Sequence, residues 1–347
     1  MQTTASEANS KDNESISIEK ILLEPQPYML TPSELAKTLG VTQASISKAF
    51  GKYKLPSITG RSLGIPPHIV RDYMKSRGHV YDKQVIAHIN MRGGIGKTTS
   101  TISAASRASQ YGYNTVIVDM DSQGSASQAL SLEPNEDDLL FIDIWNKSPK
   151  EIKSSLKKVQ DNFFVLPSSL ENGLLDSALS NPRDQKAAVQ RVCDTILSDN
   201  FDLVDDGVDL IFIDCPPSLG AAIISTICSA DIIVIPVQSD AFSMKGLKLM
   251  LSEIESICST FSLEKPEINV LYTAYDARKK QSVEVMQKLV QNYGQYLIPT
   301  FIRSSTDFDK AIDSNQTIFA SPRASQAKED YDMYVRYLLD LGQEIKH

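Results

Sequence analysis

The sequence contains no apolar run long enough to cross a membrane, few cysteines and no excess of positive charge. A transmembrane helix needs about 20 consecutive apolar residues, and no run in these 347 residues approaches that length. The four cysteines are well separated and form no CxxC pair, which argues against a zinc ribbon and a thiol redox motif. The start of the chain, Met1–Asn13, is polar and mildly acidic and predicts no signal peptide. We therefore expect reduced thiols and a cytoplasmic location.

The overall charge is acidic, with a formal net value of −8. This balance argues against a surface that is basic everywhere. Local DNA-binding patches stay possible, because salt confines the field of each patch to about a Debye length. The length of the chain and its 41% of apolar residues allow a large core and more than one domain.

The most informative segment is the glycine-rich stretch Arg92–Thr99. It follows an apolar run over 85–89 and precedes a helical pattern over 100–111. Such a turn gathers backbone N–H groups and the positive end of a helix around an anion. Lys97 is expected to reach the β- and γ-phosphates of a nucleotide, and the Thr98 hydroxyl to complete the shell of a Mg²⁺ ion. The residues expected to contact the nucleotide here are Gly93, Gly94, Ile95, Gly96, Lys97, Thr98 and Thr99.

This stretch departs from the usual phosphate-loop pattern at its first position. The glycine that normally stands six residues before the lysine is Met91 here, and a second cation, Arg92, stands five residues before Lys97. A plain glycine turn is the alternative interpretation, and the Gly-Lys-Thr triplet between a strand and a helix argues against it.

Carboxylates close two of the apolar runs that predict buried strands. Asp119 and Asp121 follow the run over 116–118, and Asp214 closes the Walker B-like run over 210–213. Because ligands bind at the carboxyl ends of parallel strands, we expect Asp119, Asp214 and Thr98 to hold Mg²⁺ and its waters, and Asp121 to orient the attacking water. Capping of the next helix is the alternative role for the first two carboxylates. Pro217 then stiffens the loop expected beneath the γ-phosphate.

Thr31–Phe50 has the spacing of a helix-turn-helix. Thr31 is expected to cap the first helix, Gly40 to end it, and Thr42 to cap the second helix. An ordinary helical hairpin without a DNA role has the same spacing and stays open. The residues that the second helix presents for base-edge and phosphate contacts are Gln43, Ser45, Ser47 and Lys48.

A stretch rich in cations follows this hairpin and fits phosphate contacts, with a solvated linker as the alternative. Its basic residues are Lys52, Lys54, Arg61, His68, Arg71, Lys75, Arg77, His79 and Lys83. We predict a disordered tail with a short helix near Ser17–Glu24 over residues 1–30, a helix-turn-helix domain with a basic linker over 31–83, and a nucleotide-binding domain over 84–347.

Apolar runs alternate with helical stretches from Val85 onward, which predicts a mostly parallel, doubly wound α/β sheet of the P-loop NTPase kind. The small domain before it is expected to be all-α. The strand candidates are 85–89, 115–118, 163–166, 208–213, 231–237, 268–273 and 296–302.

The segments 92–99, 119–124 and 214–217 together resemble the ParA-type partition ATPases of the ParA/MinD family, which have a deviant Walker loop with an extra signature lysine. The resemblance covers about 84–340, and Arg92 stands where that family has lysine. The helix-turn-helix ahead of it is similar to the long partition ATPases that repress their own operon.

The resemblance implies ATP and Mg²⁺ as cofactors and a homodimer that encloses two ATP molecules. It implies that Lys97, Asp121 and Arg92 are catalytic, with Arg92 reaching the partner's nucleotide. It also implies a ParB-like partner that stimulates slow hydrolysis, and a nucleoid-associated protein that does not bind membranes. The resemblance implies that Arg303 contacts either DNA or the adenine, and that Pro217 contacts the nucleotide. The residues that it implies in nonspecific DNA binding are Arg278, Lys279, Lys280 and Arg323.

Two alternative functions share these motifs. An ATP-gated transcription regulator would use the same helix-turn-helix and the same ATPase. A MinD-like membrane-surface ATPase would need a basic amphipathic C-terminal helix, and the acids Asp332, Asp340 and Glu344 oppose binding to anionic lipid.

Overall fold

The computed structural model describes residues 21–59, 62–240, 243–321 and 323–342. Its strands are β1 Ile21–Leu22, β2 Tyr53–Lys54, β3 Ser57–Thr59, β4 Ser62–Leu63, β5 Gln84–His88, β6 Thr115–Asp119, β7 Lys157–Gln160, β8 Phe163–Leu166, β9 Leu210–Asp214, β10 Ile232–Val237, β11 Glu267–Tyr275 and β12 Leu297–Arg303. Its α-helices are α1 Pro32–Thr38, α2 Gln43–Ala49, α3 Pro67–Ser76, α4 Lys97–Gln110, α5 Ser125–Ala129, α6 Phe141–Ile144, α7 Pro149–Ser155, α8 Leu175–Ala178, α9 Pro182–Leu197, α10 Ala221–Ile227, α11 Ser243–Phe261, α12 Lys280–Tyr293, α13 Asp307–Asp313 and α14 Gln326–Leu338. A 3₁₀ helix over Leu170–Leu174 precedes α8.

One eight-stranded sheet dominates the molecule, in the order β12-β11-β10-β5-β9-β6-β8-β7. Its neighbouring strands are parallel, except that β7 runs antiparallel to β8 at one edge. The predicted α/β class is confirmed, and each strand predicted from an apolar run is present within two residues of its predicted bounds. Strand β7 was not predicted, because Lys157 and Lys158 interrupt any apolar run; lysines suit an exposed sheet edge.

Helices cover both faces of the sheet, and each face has its own buried apolar cluster. Successive strand residues point to opposite faces, so Ile86 and Phe212 lie in one cluster while Val85 and Ile211 lie in the other. The first cluster also contains the apolar residues of α4 and α14, and the second contains those of α9, α10 and α11.

The residues ahead of the sheet pack directly on the face that carries α4 and α14. Leu35 of α1, Ile46 of α2 and Val70 of α3 are buried in the same cluster as Ala108 of α4 and Tyr334 of α14. The N-terminal part and the sheet therefore share one core.

Helices α1 and α2 form the predicted hairpin. The Thr31 hydroxyl accepts a hydrogen bond from the Glu34 backbone N–H at 3.2 Å, and the Glu34 carboxylate accepts one from the Thr31 N–H at 2.9 Å. Gly40 has a φ of 63°, a left-handed conformation that favours glycine at a helix end. Thr42 caps α2 by accepting a hydrogen bond from the Ser45 N–H at 3.1 Å.

Two predictions for this N-terminal part are wrong. It is not all-α, because β1 pairs with β2 and β3 pairs with β4; Pro56 between β2 and β3 cannot continue a helix. The predicted helix over Ser17–Glu24 begins outside the described residues, and its Ile21 and Leu22 form β1. Pro25 and Pro27 favour extended backbone before them.

Part of the basic stretch is used inside the molecule. The Arg71 guanidinium is buried and donates to both oxygens of Asp209 at 2.7 and 3.1 Å. Burial by itself lowers the pKa of Arg71, but the hydrogen bonds and charge of Asp209 raise it overall. Phosphate contact is thus the wrong role for Arg71. Arg61 of the same stretch lies outside the described residues.

Candidate nucleotide site

The phosphate loop leads from β5 into the first turn of α4. Gly94 and Gly96 have φ values of 71° and 90°, a conformation that L side chains rarely adopt. Gly96 is the N-cap of α4, and no side chain caps this helix among the described residues. The first N–H groups of α4 therefore stay available for an anion.

Lys97 already points back across this loop. Its ammonium donates a hydrogen bond to the carbonyl oxygen of Arg92 at 2.8 Å. Burial lowers the pKa of Lys97, while the carboxylate of Asp214 partly opposes that shift. An ammonium held by one carbonyl in a partly desolvated loop gains from an incoming phosphate.

Arg92 forms an ion pair with Asp240, which follows strand β10. The Arg92 side chain is 48% exposed, so it lies at the rim of the site. Its backbone N–H donates to the Asn90 side-chain oxygen at 3.2 Å, and Asn90 in turn donates to the Pro236 carbonyl at 2.9 Å. The end of β10 therefore positions Arg92.

The register of the sheet places Asp119 beside Asp214, at the carboxyl ends of the paired strands β6 and β9. Both Asp119 oxygens accept protein donors: Oδ2 from the N–H and hydroxyl of Ser127 at 3.0 and 2.7 Å, and Oδ1 from the Asp121 N–H at 3.2 Å. Burial raises the pKa of Asp119 to about 6. The bond to Ser127 in α5 gives Asp119 the capping contact that was the alternative role.

Asp214 is fully buried and only partly hydrogen-bonded. Its Oδ1 accepts a long hydrogen bond of 3.5 Å from the Thr101 hydroxyl, and its Oδ2 has no partner among the described residues. Burial and the neighbouring Asp119 raise the pKa of Asp214 well above its ordinary value, and Thr98 and Lys97 partly oppose this. A buried carboxylate oxygen without a donor fits a nearby cation.

One cavity of about 740 Å³ is lined by the phosphate loop and Asp121, whereas Asp119 and Asp214 are not part of its lining. A cavity of this size suits a small-molecule ligand. The residues predicted to contact the nucleotide that line it are Gly93, Gly94, Gly96, Lys97, Thr98, Thr99 and Pro217, and Asp121 lies with them in the lining. Its lining also includes Ile102, Ala129, Arg303, Phe308, Ile318 and Tyr331. Ile95 lies outside this lining, because its side chain is buried and its carbonyl accepts from Thr273 at 2.9 Å.

The Arg303 side chain is largely engaged elsewhere. Its guanidinium donates to Asp330 at 2.5 to 3.1 Å, and its backbone N–H donates to the same carboxylate at 2.8 Å. The hydrogen bonds to Asp330 raise the pKa of Arg303. The Arg303 cation therefore anchors β12 to α14 while it lines the cavity.

The residues predicted to contact DNA lie on the surface and apart from the cavity. Those of α2 are exposed, as are those near α12 and α14. Arg278 is paired with Asp276 at 2.9 Å, and Lys280 with Glu284 at 3.5 Å. Both basic side chains are largely exposed, and ion pairs of exposed cations contribute little to stability.

Three residues of the site carry no sequence signal. Ser127, Ser168 and Asn172 are buried polar side chains that connect the Asp119–Asp121 loop to the segment after β8. Serine and asparagine are common in loops, so only the fold distinguishes these three.

Two features are absent from the described part of the chain. No helix there is long and apolar enough to span a bilayer. No group of three or more histidine, cysteine or acidic side chains among these residues could hold a metal. A Mg²⁺ site with one or two carboxylates and mostly phosphate and water ligands needs no such group.

The parallel sheet, the glycine loop that enters α4 and the buried carboxylate at the next strand end define a P-loop nucleotide-binding protein. A family model described as an AAA domain matches residues 83–270, more than half of the chain, and the chain belongs to that family. The chain is also 26% identical over 257 residues to the chromosome-partitioning ATPase Soj of Treponema pallidum, covering 74% of this chain and 97% of that protein.

Two solved structures have the same fold. McdA of Cyanothece, in a complex with ATP, has a TM-score of 0.65 at 17% identity and covers 76% of this chain and 99% of that one. Cobyrinic acid a,c-diamide synthase of Mycobacterium smegmatis, with an ATP analogue and magnesium, has a TM-score of 0.59 at 20% identity and covers 74% and 94%. The predicted class, a P-loop ATPase of the ParA/MinD type, is confirmed at this level.

Proposed function

We propose that this chain is a DNA-partition ATPase. It binds ATP with Mg²⁺, forms a homodimer around two ATP molecules, binds nonspecific DNA in that state and is reset by partner-stimulated hydrolysis. The observation that carries this proposal is that the phosphate loop, with Lys97, and Asp121 line one cavity. Similarity to the partitioning ATPase Soj supports the biological role.

ATP enters with its phosphates on the α4 N-terminus. Lys97 leaves the Arg92 carbonyl and contacts the β- and γ-phosphates, and Asp121 orients the attacking water. Thr98 and Asp214 are the residues that would hold Mg²⁺, which supplies charge neutralisation for those phosphates. Asp119 was also expected to hold Mg²⁺ and its waters, but its oxygens already accept three protein donors, so we assign it instead to holding the loop that carries Asp121.

Arg92 acts on the nucleotide of the partner subunit. Its ion pair with Asp240 keeps it at the rim of its own site, and dimerisation exchanges Asp240 for a γ-phosphate. An arginine keeps the charge of the family's lysine and adds a fork that binds phosphate through two nitrogens. An arginine that acts in trans contributes roughly 10³–10⁵ in rate in related chemistry.

DNA contacts two separate surfaces. Helix α2 reads an operator through Gln43, Ser45, Ser47 and Lys48, which supports repression of the chain's own operon. The ATPase part binds DNA without sequence preference through Arg278, Lys279, Lys280 and Arg323. The activating partner is a ParB-like centromere-binding protein, and the dimer is cytoplasmic and bound to the nucleoid.

A trapping experiment tests the ATPase cycle. Asp121→Ala should bind ATP, fail to split it and accumulate as a dimer when sized by light scattering with ATP and Mg²⁺. Asp137→Ala, which removes an exposed acid outside the cavity, is the matched control and should cycle like the parent. An Asp121→Ala protein that stays monomeric while the parent dimerises would contradict the proposal.

A mixing experiment tests whether Arg92 acts in trans. Asp121→Ala and Arg92→Ala subunits should each be inactive alone, and together form dimers in which one site has both intact residues. Partial return of ATP hydrolysis in the mixture is the expected result. Arg92→Lys should keep much of the activity. No return on mixing would assign Arg92 to its own subunit.

DNA and lipid assays separate the two alternative functions. A partition ATPase should bind nonspecific DNA only with ATP, and should not float with anionic liposomes. Operator footprinting without any ATP-dependent nonspecific binding would favour the ATP-gated transcription regulator instead. Flotation with liposomes would favour a MinD-like membrane-surface ATPase.

A further inference from the structure

The peptide of Asp121 is held from both sides by buried polar groups. Its N–H donates to Asp119 Oδ1 at 3.2 Å, and its carbonyl accepts a hydrogen bond of 2.7 Å from the Ser168 hydroxyl. Ser168 follows β8 and is 2% exposed. Its own N–H donates to the Ser127 hydroxyl at 3.0 Å. The loop that carries Asp121 is therefore tied to the neighbouring segment as well as to its own strand.

The direction of the Ser168 hydroxyl is set by a second buried residue. Asn172 donates its amide N–H to the Ser168 oxygen at 2.8 Å, so the single hydroxyl proton is left for the Asp121 carbonyl. The orientation of the Asn172 amide is set in turn by the Ile142 N–H, which donates to Asn172 Oδ1 at 3.2 Å. Each donor in this series of three hydrogen bonds therefore has one acceptor.

The two segments also meet without spare room. A Cβ on Gly124, whose φ is 59°, would lie 2.7 Å from the Ser168 carbonyl oxygen. Such a contact is shorter than any real Cβ makes, so the loop after Asp121 rests directly on the Ser168 backbone. Both a close backbone contact and a directed hydrogen bond thus join Ser168 to this loop.

We propose that Ser168 and Asn172 are positioning residues for hydrolysis, because they hold the Asp121 peptide in the place from which its carboxylate orients water. This inference rests on the proposed role of Asp121. A misplacement of about 1 Å can cost a reaction about 100-fold, whereas the phosphate loop that binds ATP makes none of these contacts. We therefore expect an effect on kcat without an effect on ATP affinity.

Three variants test the proposal. Asn172→Asp keeps the shape but replaces the amide donor by an acceptor, so the Ser168 hydroxyl turns away from Asp121. Ser168→Ala removes the hydroxyl, and Ser168→Cys fills its space with a weak donor. In each variant we expect unaided kcat to fall at least about tenfold and the Kd for ATP to stay within about twofold of the parent.

The variants separate positioning from packing. If Ser168→Cys restores kcat to the parent's value, filled space is sufficient and the proposal is wrong. It is equally wrong if kcat and ATP affinity fall together in the variants that fold, or if kcat is unchanged. Should Asn172→Asp fail to fold, the Ser168 pair still decides, because neither of its members introduces a charge.

Asp121→Ala is measured in parallel to keep this inference apart from the proposed function. Loss of hydrolysis in Asp121→Ala with normal kcat in the Ser168 and Asn172 variants refutes the positioning role only. Normal hydrolysis in Asp121→Ala refutes the proposed role of Asp121 itself.

Discussion

The two ends of helix α4 are built for opposite purposes. At the first turn Lys97, Thr98 and Thr99 line a cavity, and the hydrogen-bond partner of the Lys97 ammonium among the described residues is a single carbonyl. At the last turn Arg107 is 3% exposed and paired with Glu34 of α1 at 3.1 Å and Asp332 of α14 at 2.7 Å. Lys97 can therefore exchange its partner for a ligand, whereas Arg107 is already paired with two carboxylates.

This difference shows how one helix serves binding and architecture together. A ligand site needs donors that the protein leaves unsatisfied, whereas a buried junction needs every charge to be paired. The last turn also joins Tyr111, whose hydroxyl donates to Asp332 at 2.5 Å and contacts Thr38 of α1 at 2.8 Å. The N-terminal hairpin is thereby fixed to the helix whose other end faces the nucleotide.

The largest expected effect comes from the first turn of α4, where Lys97 lies. Lys97→Ala should reduce ATP hydrolysis by about 10³-fold or more and strongly weaken ATP binding, because the main side-chain charge on the transferring phosphate is lost. Its melting temperature should stay near that of the parent. Hydrolysis assays, ATP titration and thermal unfolding measure these effects, with Lys248→Ala, an exposed lysine of α11, as control. Near-normal turnover would refute the phosphate-loop interpretation.

A substitution at the last turn of α4 should instead reduce stability and leave ATP affinity nearly unchanged. Arg107→Met removes a cation between two carboxylates, and loss of one partner from a buried pair costs about 3–5 kcal/mol in the free energy of unfolding. The affinity of the folded variant for ATP should change little. Chemical denaturation measures the loss, and Lys37→Ala, which breaks an exposed pair with Glu329, should cost less than about 1 kcal/mol. Equal losses in both variants would remove the contrast between the two ends.

A smaller effect concerns the pH dependence of stability that Asp119 causes. Burial raises the pKa of Asp119 from 3.8 to about 6, so the folded chain binds more protons than the unfolded chain between these values. The free energy of unfolding should therefore fall as pH rises through this window, by at most about 1.4 kcal/mol per pH unit for this group. Asp119→Asn should flatten that slope. An identical slope in parent and variant would contradict the shift.

The smallest effect concerns DNA binding by the hairpin of α1 and α2, which is fixed to the last turn of α4. Lys48→Ala should lower the slope of log affinity against log salt by about 0.9 for operator DNA, if this lysine contacts one phosphate. Measurements on nonspecific DNA serve as control and should change less. A point variant is the cleaner test, because removal of residues 1–83 would expose the core that Leu35 and Val70 share with α4. An unchanged slope would remove Lys48 from the interface.

Local rules were sufficient for much of the molecule. The parallel strands of the sheet were predictable because buried strands are continuous apolar runs, and the hairpin because Thr31, Gly40 and Thr42 act on their own neighbours. The phosphate loop was predictable for the same reason, since its glycines and Lys97 are adjacent in sequence. Strand β7, by contrast, is recognisable only from its pairing with β8.

The chemistry of single side chains depended on partners far along the chain. Sequence alone placed Arg71 among the phosphate-binding cations and gave Arg92 no partner within its own chain, but both pair with acids, Asp209 and Asp240, that are distant in sequence. Ser168 and Asn172 had no signal at all, because their importance lies in which carbonyl and which hydroxyl they reach.

The sequence by itself determined the class of fold, the phosphate loop and the strand ends that carry the acids, because these follow from neighbours in the chain and from apolar periodicity. Only the tertiary structure decided which charged side chains stay available to a ligand and which are already paired inside the protein. The charge state and availability of a buried group depend on burial and on partners brought together by folding, and a sequence does not state those distances.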